Sequence, residues 1–306
     1  MRLIKSAWVY GAPLPAKPTE LMLEQVEQHA FVDPASVQKS AIGFVANTST
    51  GELIAEFEGG WAVTVRLDEK ILPAAAVSKA VDEKVAEVEA RDGRKVYRKE
   101  KLSIKDDVVA TMLGRAFTKS TYVHVFYYSA SSLLVVAAAS NKTAIEVLGL
   151  MREAFGTLKS QALRIESLSA VLTAGLRRYV DAGDEDLGPF ALGGYLQLQN
   201  DLNEDRMAVA AGGDETIALD SISEPLMNGY RVTAISLHGP GASFKLTADQ
   251  AFKKIVFGEP GEEPDYEDIA QLWRHEAAVQ VMLLCDQVKL LLELAGSMFP
   301  VFEEPA

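Results

Sequence analysis

A long helical stretch interrupts a series of strand-like segments between residues 68 and 119, and it constrains the fold more than any other feature. Pro73 ends the preceding β pattern. Because proline is favoured in the first turn of a helix, a helix is predicted from Ala74 to about Ala90. The apolar residues of this helix recur at helical spacing and would form one stripe: Val77, Val81, Val85 and Val88.

A second helix is predicted immediately after the first. Gly93 indicates an end or a bend. Ser103 and Asp106 resemble a capping box, with aspartate in place of the usual glutamate, for a helix that continues to about Leu113. Two helices joined by a short connection predict a protruding helical hairpin over residues 68–119.

The connection and the start of the second helix are strongly basic. Residues 91–105 carry a net charge of +5, whereas the whole chain carries −13. The basic residues are Arg91, Arg94, Lys95, Arg98, Lys99, Lys101 and Lys105, opposed by Asp92 and Glu100. Mobile cations can bind a phosphate backbone without reading base sequence. A solvated helix tip remains the alternative.

Charge is distributed unevenly between the two halves of the chain. Residues 181–306 hold 23 acidic and 7 basic side chains, and residues 1–180 hold 20 acidic and 23 basic ones. The isoelectric point near 4.9 argues against a simple basic DNA-binding module. The asymmetry itself indicates an oriented surface for a polyanion.

The order of strands and helices predicts an α+β protein with ferredoxin-like subdomains. Residues 1–67 and 120–180 are expected to form a central α+β domain, from which the hairpin of residues 68–119 protrudes. Residues 181–306 are expected to form a second α+β domain, with the boundary in the acidic, glycine-containing segment 181–188.

The second domain is predicted to end in a long helix. Asp265 would cap this helix, which would run from Tyr266 to about Met298. Cys285, the single cysteine, lies in its apolar run and is interpreted as a core residue rather than a nucleophile. A lone cysteine excludes a disulfide within one chain.

The sequence contains no recognisable catalytic constellation, so we expect a protein that is not an enzyme and holds neither metal nor cofactor. The four histidines have no ligand spacing: His29, His124, His238 and His275. The acidic cluster at residues 262–265 is interpreted as solvation beside a helix N-terminus rather than as a metal site. A nuclease would need acidic ligands beside a lysine on a strand, and that pattern is not found.

Segments for membrane insertion or secretion are not apparent. The apolar run at residues 133–139 is far too short to span a bilayer. The first residues lack the apolar core of a secretory signal. We therefore expect a cytoplasmic location.

The helical stretch also carries a family resemblance. The run Asp-Glu-Lys-Ile-Leu-Pro at residues 68–73 is followed by Lys79, Lys84, Lys101, Lys105-Asp106 and Arg115-Ala116-Phe117. In order and spacing these residues resemble the recombination-associated RdgC proteins. That family has an EEKILP-like run, a lysine-rich helix, an SLKDE-like helix start and an RAF triplet. Weaker similarity extends from Trp8-Val9-Tyr10 to the final helix.

The resemblance implies a ring-shaped homodimer that encircles duplex DNA without sequence preference. Such a ring would restrain recombinase-mediated recombination and associate with the nucleoid. The partners implied are double-stranded DNA, a second copy of the chain and a recombinase. Together, the family resemblance and the charge pattern assign DNA contacts to Lys79, Lys84, Arg94, Lys95, Arg98, Lys99, Lys101 and Lys105.

Two further expectations concern how the ring closes. Arg115 and Phe117 are expected at a contact between subunits, where a phenylalanine can anchor a two-fold interface. An ordinary core position is the alternative for Phe117. Relatives commonly carry a basic pair at a gate in the second half. The corresponding residues 211–215 hold no cation, which argues against a DNA-contacting gate there.

A different class of function remains open from the sequence. The acidic half could bind a recombinase or another basic partner directly, without DNA. This alternative is a protein-interaction factor that works through the carboxylates of residues 181–306.

Overall fold

The computed structural model describes residues 1–156, 161–162, 165, 168–182, 187–200, 202–212, 217–218, 220–258 and 268–296. Within these ranges the chain forms twelve strands and seven helices. The strands are β1 Ser6–Gly11, β2 Ser40–Val45, β3 Ile54–Phe57, β4 Gly60–Lys70, β5 Thr118–Tyr128, β6 Leu133–Val136, β7 Gln161–Ala162, β8 Ala191–Asn200, β9 Arg206–Ala210, β10 Tyr230–Gly239, β11 Ala242–Thr247 and β12 Phe252–Phe257. The helices are α1 Glu20–Gln28, α2 Ala74–Asp92, α3 Arg98–Leu113, α4 Asn141–Phe155, α5 Leu168–Ala182, α6 Asp220–Met227 and α7 Ile269–Leu294.

All twelve strands belong to one sheet, and the strand pairs are antiparallel. The order is β2-β4-β5-β6-β1-β12-β11-β10-β8-β9, with β3 on β4 and β7 on β1. Strand β1 joins the two halves of the sheet. Its end, Trp8–Gly11, pairs with β6, and its start pairs with β12 in the register Ser6 opposite Lys253.

Helix α7 covers one face of the sheet across both halves. Its buried residues include Trp273, Val281 and Leu291, which share one core cluster with Phe126 of the first half and Leu196 of the second. The ring of Trp273 stacks on Phe126 at a centroid distance of 6.2 Å. The two halves therefore share a hydrophobic core, which is the dominant stabilising contribution to folding.

Within the described ranges, helices cover the other face of the sheet in its first half alone. There α1 and α4 bury a second cluster against β4, β5 and β6, with Trp61 at its centre. In the second half, side chains on β8 alternate between buried Leu196 and Leu198 and partly exposed Tyr195 and Gln197. Such alternation is typical of a sheet with one solvated face.

The predicted α+β class is confirmed, and two boundary predictions are wrong. Helix α3 begins at Arg98, so Ser103 lies inside the helix and caps nothing. The long final helix begins at Ile269 and is capped by Asp268, whose side chain accepts a hydrogen bond from the Ala270 amide at 2.9 Å. Asp265, the cap predicted from sequence, lies outside the described residues. The ferredoxin-like description and the domain boundaries stay predictions.

Candidate nucleic-acid interface

The base of the α2–α3 pair is fixed by a buried ion pair on β4. Asp68 is 2% exposed, and Arg66 holds it with two hydrogen bonds, of 2.9 and 2.7 Å. These hydrogen bonds are the main reason why the pKa of Asp68 lies below its usual value. The Arg66 guanidinium lies 4.2 Å from the centroid of the Phe31 ring. Asp68, the first residue of the Asp-Glu-Lys-Ile-Leu-Pro run, is thus a buried structural residue.

Lys70 ties the same run to the loop before β2. Its ammonium donates to the carbonyls of Ala35 at 3.1 Å and Ser36 at 2.7 Å, and the residue is 8% exposed. Pro73 follows as the N-cap of α2, with φ of −60°. The Asp-Glu-Lys-Ile-Leu-Pro run therefore sets the point and the direction at which α2 leaves the sheet.

The two helices contact each other directly. Lys101 of α3 donates to the carboxylate of Asp82 on α2 at 3.0 Å. The amide of Val96, in the connection, donates to the side chain of Glu89 at 2.8 Å. Gly93 ends α2 with φ of 65°, a conformation that costs other residues free energy. Within these two helices, Val81 and Leu113 alone are buried, so most of their surface faces solvent.

Four of the eight predicted DNA-binding cations are engaged in exposed ion pairs. Lys79 lies 3.9 Å from Glu83, and Lys84 lies 2.7 Å from Glu87. Arg94 pairs with Glu100 at 2.8 Å, and Lys101 pairs with Asp82. Exposed pairs are each worth about 0–1 kcal/mol, so a phosphate can replace these carboxylates at little cost.

The other four predicted cations are exposed and have no ion-pair partner among the described residues. They are Lys95, Arg98, Lys99 and Lys105. Arg98 and Lys105 are seven residues apart on α3, so they lie two turns or about 10.5 Å from each other on one helix face. The structure therefore places unpaired cations at the connection and along the first two turns of α3.

The positive charge of the α2–α3 pair is local. Residues 74–113 hold nine basic and eight acidic side chains, a net charge of +1, so the charge of +5 is confined to residues 91–105. Lys39 and Lys119 extend it toward the sheet, where they line a cleft of about 640 Å³ with Lys101 and Lys105. Sequence reasoning missed these two lysines because Lys39, in the loop before β2, and Lys119, on β5, lie outside the basic run.

Phe117 lies at the start of the path from α3 into β5. Its side chain is 85% exposed, so the alternative of an ordinary core position is wrong. Its carbonyl accepts a hydrogen bond from the Ile71 amide at 2.8 Å, which places a second exposed apolar residue, 51% exposed, beside it. Arg115 is also exposed, in the turn after α3. Exposed apolar residues that lie together mark contact sites.

Two sequence predictions fall partly or wholly on residues outside the described ranges. Of the segment proposed to correspond to the gate, residues 213–215 are not described. The acidic cluster at residues 262–265 lies outside the description as well.

The remaining candidates for chemistry are structural. Cys285 is fully buried, and burial raises the pKa of its thiol to about 12, so its interpretation as a core residue is confirmed. His124 lies 3.1 Å from the Thr64 hydroxyl, and burial lowers its pKa. Across the described ranges, no three His, Cys, Asp or Glu side chains are grouped so that they could hold a metal ion.

These features define an α+β protein built on one antiparallel sheet, with an exposed pair of helices that presents unpaired cations. A family model described as "RdgC: Putative exonuclease, RdgC" matches residues 3–300. The chain therefore belongs to the RdgC family, as its central residues predicted.

Curated relatives of this chain carry the name Recombination-associated protein RdgC. The protein from Shewanella denitrificans is 29% identical over 244 residues, which cover 79% of this chain and 78% of the relative. The protein from Tolumonas auensis is 28% identical over 256 residues, which cover 81% of each. The family thus links the chain to recombination.

No helix in the described ranges has both the length and the apolar content that crossing a bilayer requires.

Proposed function

We propose that this protein binds double-stranded DNA without sequence preference, as a ring-shaped homodimer, and restrains recombinase-mediated recombination. The observation that carries the proposal is the group of exposed, unpaired cations Lys95, Arg98, Lys99 and Lys105 on a pair of helices that project from the sheet in a protein of net charge −13. Membership of the RdgC family, whose curated relatives are named for an association with recombination, supports a role in recombination.

Backbone binding follows from the kind of side chains present. Lysine and arginine bind phosphates through charge and release counterions, which gives affinity that is independent of sequence. Tyr97 is the one aromatic residue of the basic segment, and it is 74% exposed, with the Arg94 guanidinium 5.9 Å from its ring centroid. A single aromatic residue provides little stacking for unpaired bases, so duplex is favoured over single-stranded DNA.

In the proposed assembly the helix pair is a hairpin that reaches around the duplex, and Phe117 with Arg115 meets a second copy. Restraint of recombination is then steric, because a protein that occupies the backbone competes with recombinase assembly there. Enclosure compensates for modest contact energy, since release requires the ring to open. The proposed location is on the nucleoid.

The test is a charge reversal with a matched control. The double variant Arg98→Glu/Lys99→Glu removes two unpaired cations of α3. The double variant Lys17→Glu/Lys289→Glu makes the same change of charge away from the α2–α3 pair. Fluorescence anisotropy with two unrelated duplexes, over a salt series, gives the affinity and its salt dependence.

We expect the α3 variant to lose affinity equally on both duplexes, and the control to retain it. If two phosphate contacts are lost, the slope of log affinity against log salt falls by about 1.8, and affinity at 0.1 M salt falls by about 60-fold. Equal binding by the two double variants would exclude the assigned face.

Two other candidate functions predict different results with duplex DNA. The 23 acidic side chains of residues 181–306 favour a factor that binds a basic protein without DNA, and the absence of binding by the wild type would support it. The family description as a putative exonuclease favours a nuclease. Incubating labelled duplex with the protein and Mg²⁺ tests it, and shortened products would overturn a role without catalysis.

A further inference from the structure

The second half of the sheet has a solvated face that the proposed function does not use. Strands β8 to β12 pack one face on α5, α6 and α7. In the described part of the chain, no helix covers the opposite face. We call this surface the open face, and its outward residues include Tyr195, Gln197, Gln199, Arg206, Lys245 and Lys253.

The strand register brings these residues together on one side. Arg206 pairs with Gln199 across β9 and β8, and Lys245 pairs with Lys253 across β11 and β12. Three strand spacings separate β9 from β11, so Arg206 and Lys245 are about 14 Å apart measured across the strands, and Lys253 on β12 lies one spacing further. Between them lies a depression of about 600 Å³ that Gln197 and Thr233 also line.

The open face collects cations in the acidic half of the protein. Residues 181–306 hold seven basic side chains. Five of these lie on β9, β10 and β12 or on β11 between them: Arg206, Arg231, Lys245, Lys253 and Lys254. Among the described acidic side chains of this half, Asp249 alone lines the depression, and it accepts a hydrogen bond from the Thr247 hydroxyl.

In the part of the chain that the structure describes, no carboxylate forms an ion pair with Lys245 or Lys253. Lys245 and Lys253 are directly opposite each other on neighbouring strands, an arrangement in which like charges destabilise a sheet. The ammonium of Lys245 lies 3.4 Å from the centroid of the Tyr195 ring. Among the described residues, neither Lys253 nor Arg206 forms an ion pair. An anion bound between Lys245 and Lys253 would relieve the repulsion between their charges.

The side chains of the open face favour nucleic acid over protein as a partner. Protein–protein interfaces have an apolar core, whereas nucleic-acid interfaces are polar and strongly positive. The depression is lined by lysine, arginine, glutamine and threonine side chains and by two alanines, Ala234 and Ala248. Glutamine amides and lysine ammonium groups are donors suited to phosphate oxygens.

We propose that the open face is a second contact for the phosphodiester backbone of nucleic acid, separate from the cations of α3. This inference rests on the proposed function. It assigns nucleic-acid contact to the second half of the chain, although that half is acidic overall. The contact comes from the sheet itself and not from residues 211–215, which hold no cation.

The experiment compares reversals of charge on opposite faces of the second half. Lys253→Glu changes the open face. Lys289→Glu makes the same change on α7, which covers the other face, where Lys289 lies 3.3 Å from Asp286. The double variant Lys245→Gln/Lys253→Gln removes both opposed charges without adding a carboxylate. Each is titrated with a labelled duplex and with a single strand of equal length, over a salt series.

We expect Lys253→Glu to lower duplex affinity at 0.1 M salt by about eightfold and the double variant by about 60-fold, with the salt slope smaller by about 0.9 and 1.8. Lys289→Glu should match the wild type. Loss confined to the single strand would still support a backbone contact and would show which form occupies the face. Unfolding midpoints of all variants are compared by circular dichroism.

The outcomes separate this inference from the proposed function. If the wild type binds duplex and both open-face variants behave like Lys289→Glu, the open face is not a contact, although the proposed function stands. If the wild type binds neither nucleic acid, both proposals fail. If open-face variants lose binding and those of α3 do not, the second contact stands and the assignment to α3 fails.

Discussion

Replacing Phe117 by alanine should break the proposed dimer without harming the fold. The side chain is 85% exposed in the single chain, so its removal takes almost no buried area from the folded subunit. Substitutions at such positions change the free energy of unfolding by no more than about 0.5 kcal/mol. In a two-fold interface, by contrast, each copy of the residue would be buried, and both copies are lost together.

The size of the effect follows from the area that a phenylalanine buries. Full burial of one such side chain contributes about 1.5–3 kcal/mol. Two copies contribute about 3–6 kcal/mol, which corresponds to a dimer dissociation constant raised about 10²- to 10⁴-fold. Because Ile71 lies beside Phe117 and is half exposed, the interface would extend over both, and the upper part of that range is expected.

Sedimentation equilibrium of the wild type and of Phe117→Ala measures this constant. Leu202→Ala serves as the control, since Leu202 is 95% exposed and lies in the second half of the chain. Thermal unfolding of each variant checks the fold. A dimer that survives Phe117→Ala with unchanged affinity, or a wild type that is monomeric at every concentration, would refute the reasoning.

Two predictions concern the framework that positions the site. Asp68→Asn should lower the free energy of unfolding by about 1.5–3 kcal/mol at pH 7, because bonds to charged groups are lost. Since the pKa of Asp68 is depressed in the folded state, its contribution is complete above the unfolded value of 3.8 and is lost as pH falls through the folded value. Urea unfolding from pH 7 to pH 3 measures this, and a difference from wild type that does not shrink at low pH would contradict it. Gln280→Leu should lower the free energy of unfolding by about 2–4 kcal/mol, because the Gln280 side chain accepts from the part-buried amide of Leu3 and the buried amide of Ile4 at 3.0 and 3.1 Å. The exposed Gln271→Leu is its control in the same unfolding experiment, and equal midpoints would disprove the role of Gln280.

The apolar stripe of α2 was predictable because its cause is local. Residues four or three apart on a helix share a face whatever the rest of the chain does, and Val81, in the middle of the stripe, is buried. Strand β12 was missed for the opposite reason. Lys253 and Lys254 interrupt its alternation, and Lys254 has φ of 51°, where a register shift lets Phe252 and Ile255 both face the core.

The charged residues show where sequence reasoning ends. Asp68 and Lys70 are charged residues, a type that is usually exposed, yet both are buried. Their partners, Arg66 and the carbonyls of Ala35 and Ser36, are brought to them by the pairing of β4 and by a loop. Whether Lys101 is paired depends on Asp82, nineteen residues away on another helix. Pairing of this kind is a property of tertiary structure, so composition gives the charge of a segment but not which cations are available.

The excess of negative charge on the chain limits how the two cationic surfaces can attract DNA. A chain of net charge −13 repels a polyanion at long range, so it gains little from general electrostatic attraction. At physiological ionic strength, however, charges are screened beyond about 8 Å, and binding is then decided by the groups that touch the phosphates. The cations proposed to make these contacts are the unpaired ones of α3 and, on the open face, Arg206 and Lys253. A protein of this kind should bind DNA slowly at low salt relative to a basic protein, and hold it through local contacts and enclosure. An association rate that rises steeply as salt is removed, as it does for basic DNA-binding proteins, would contradict this view of the molecule.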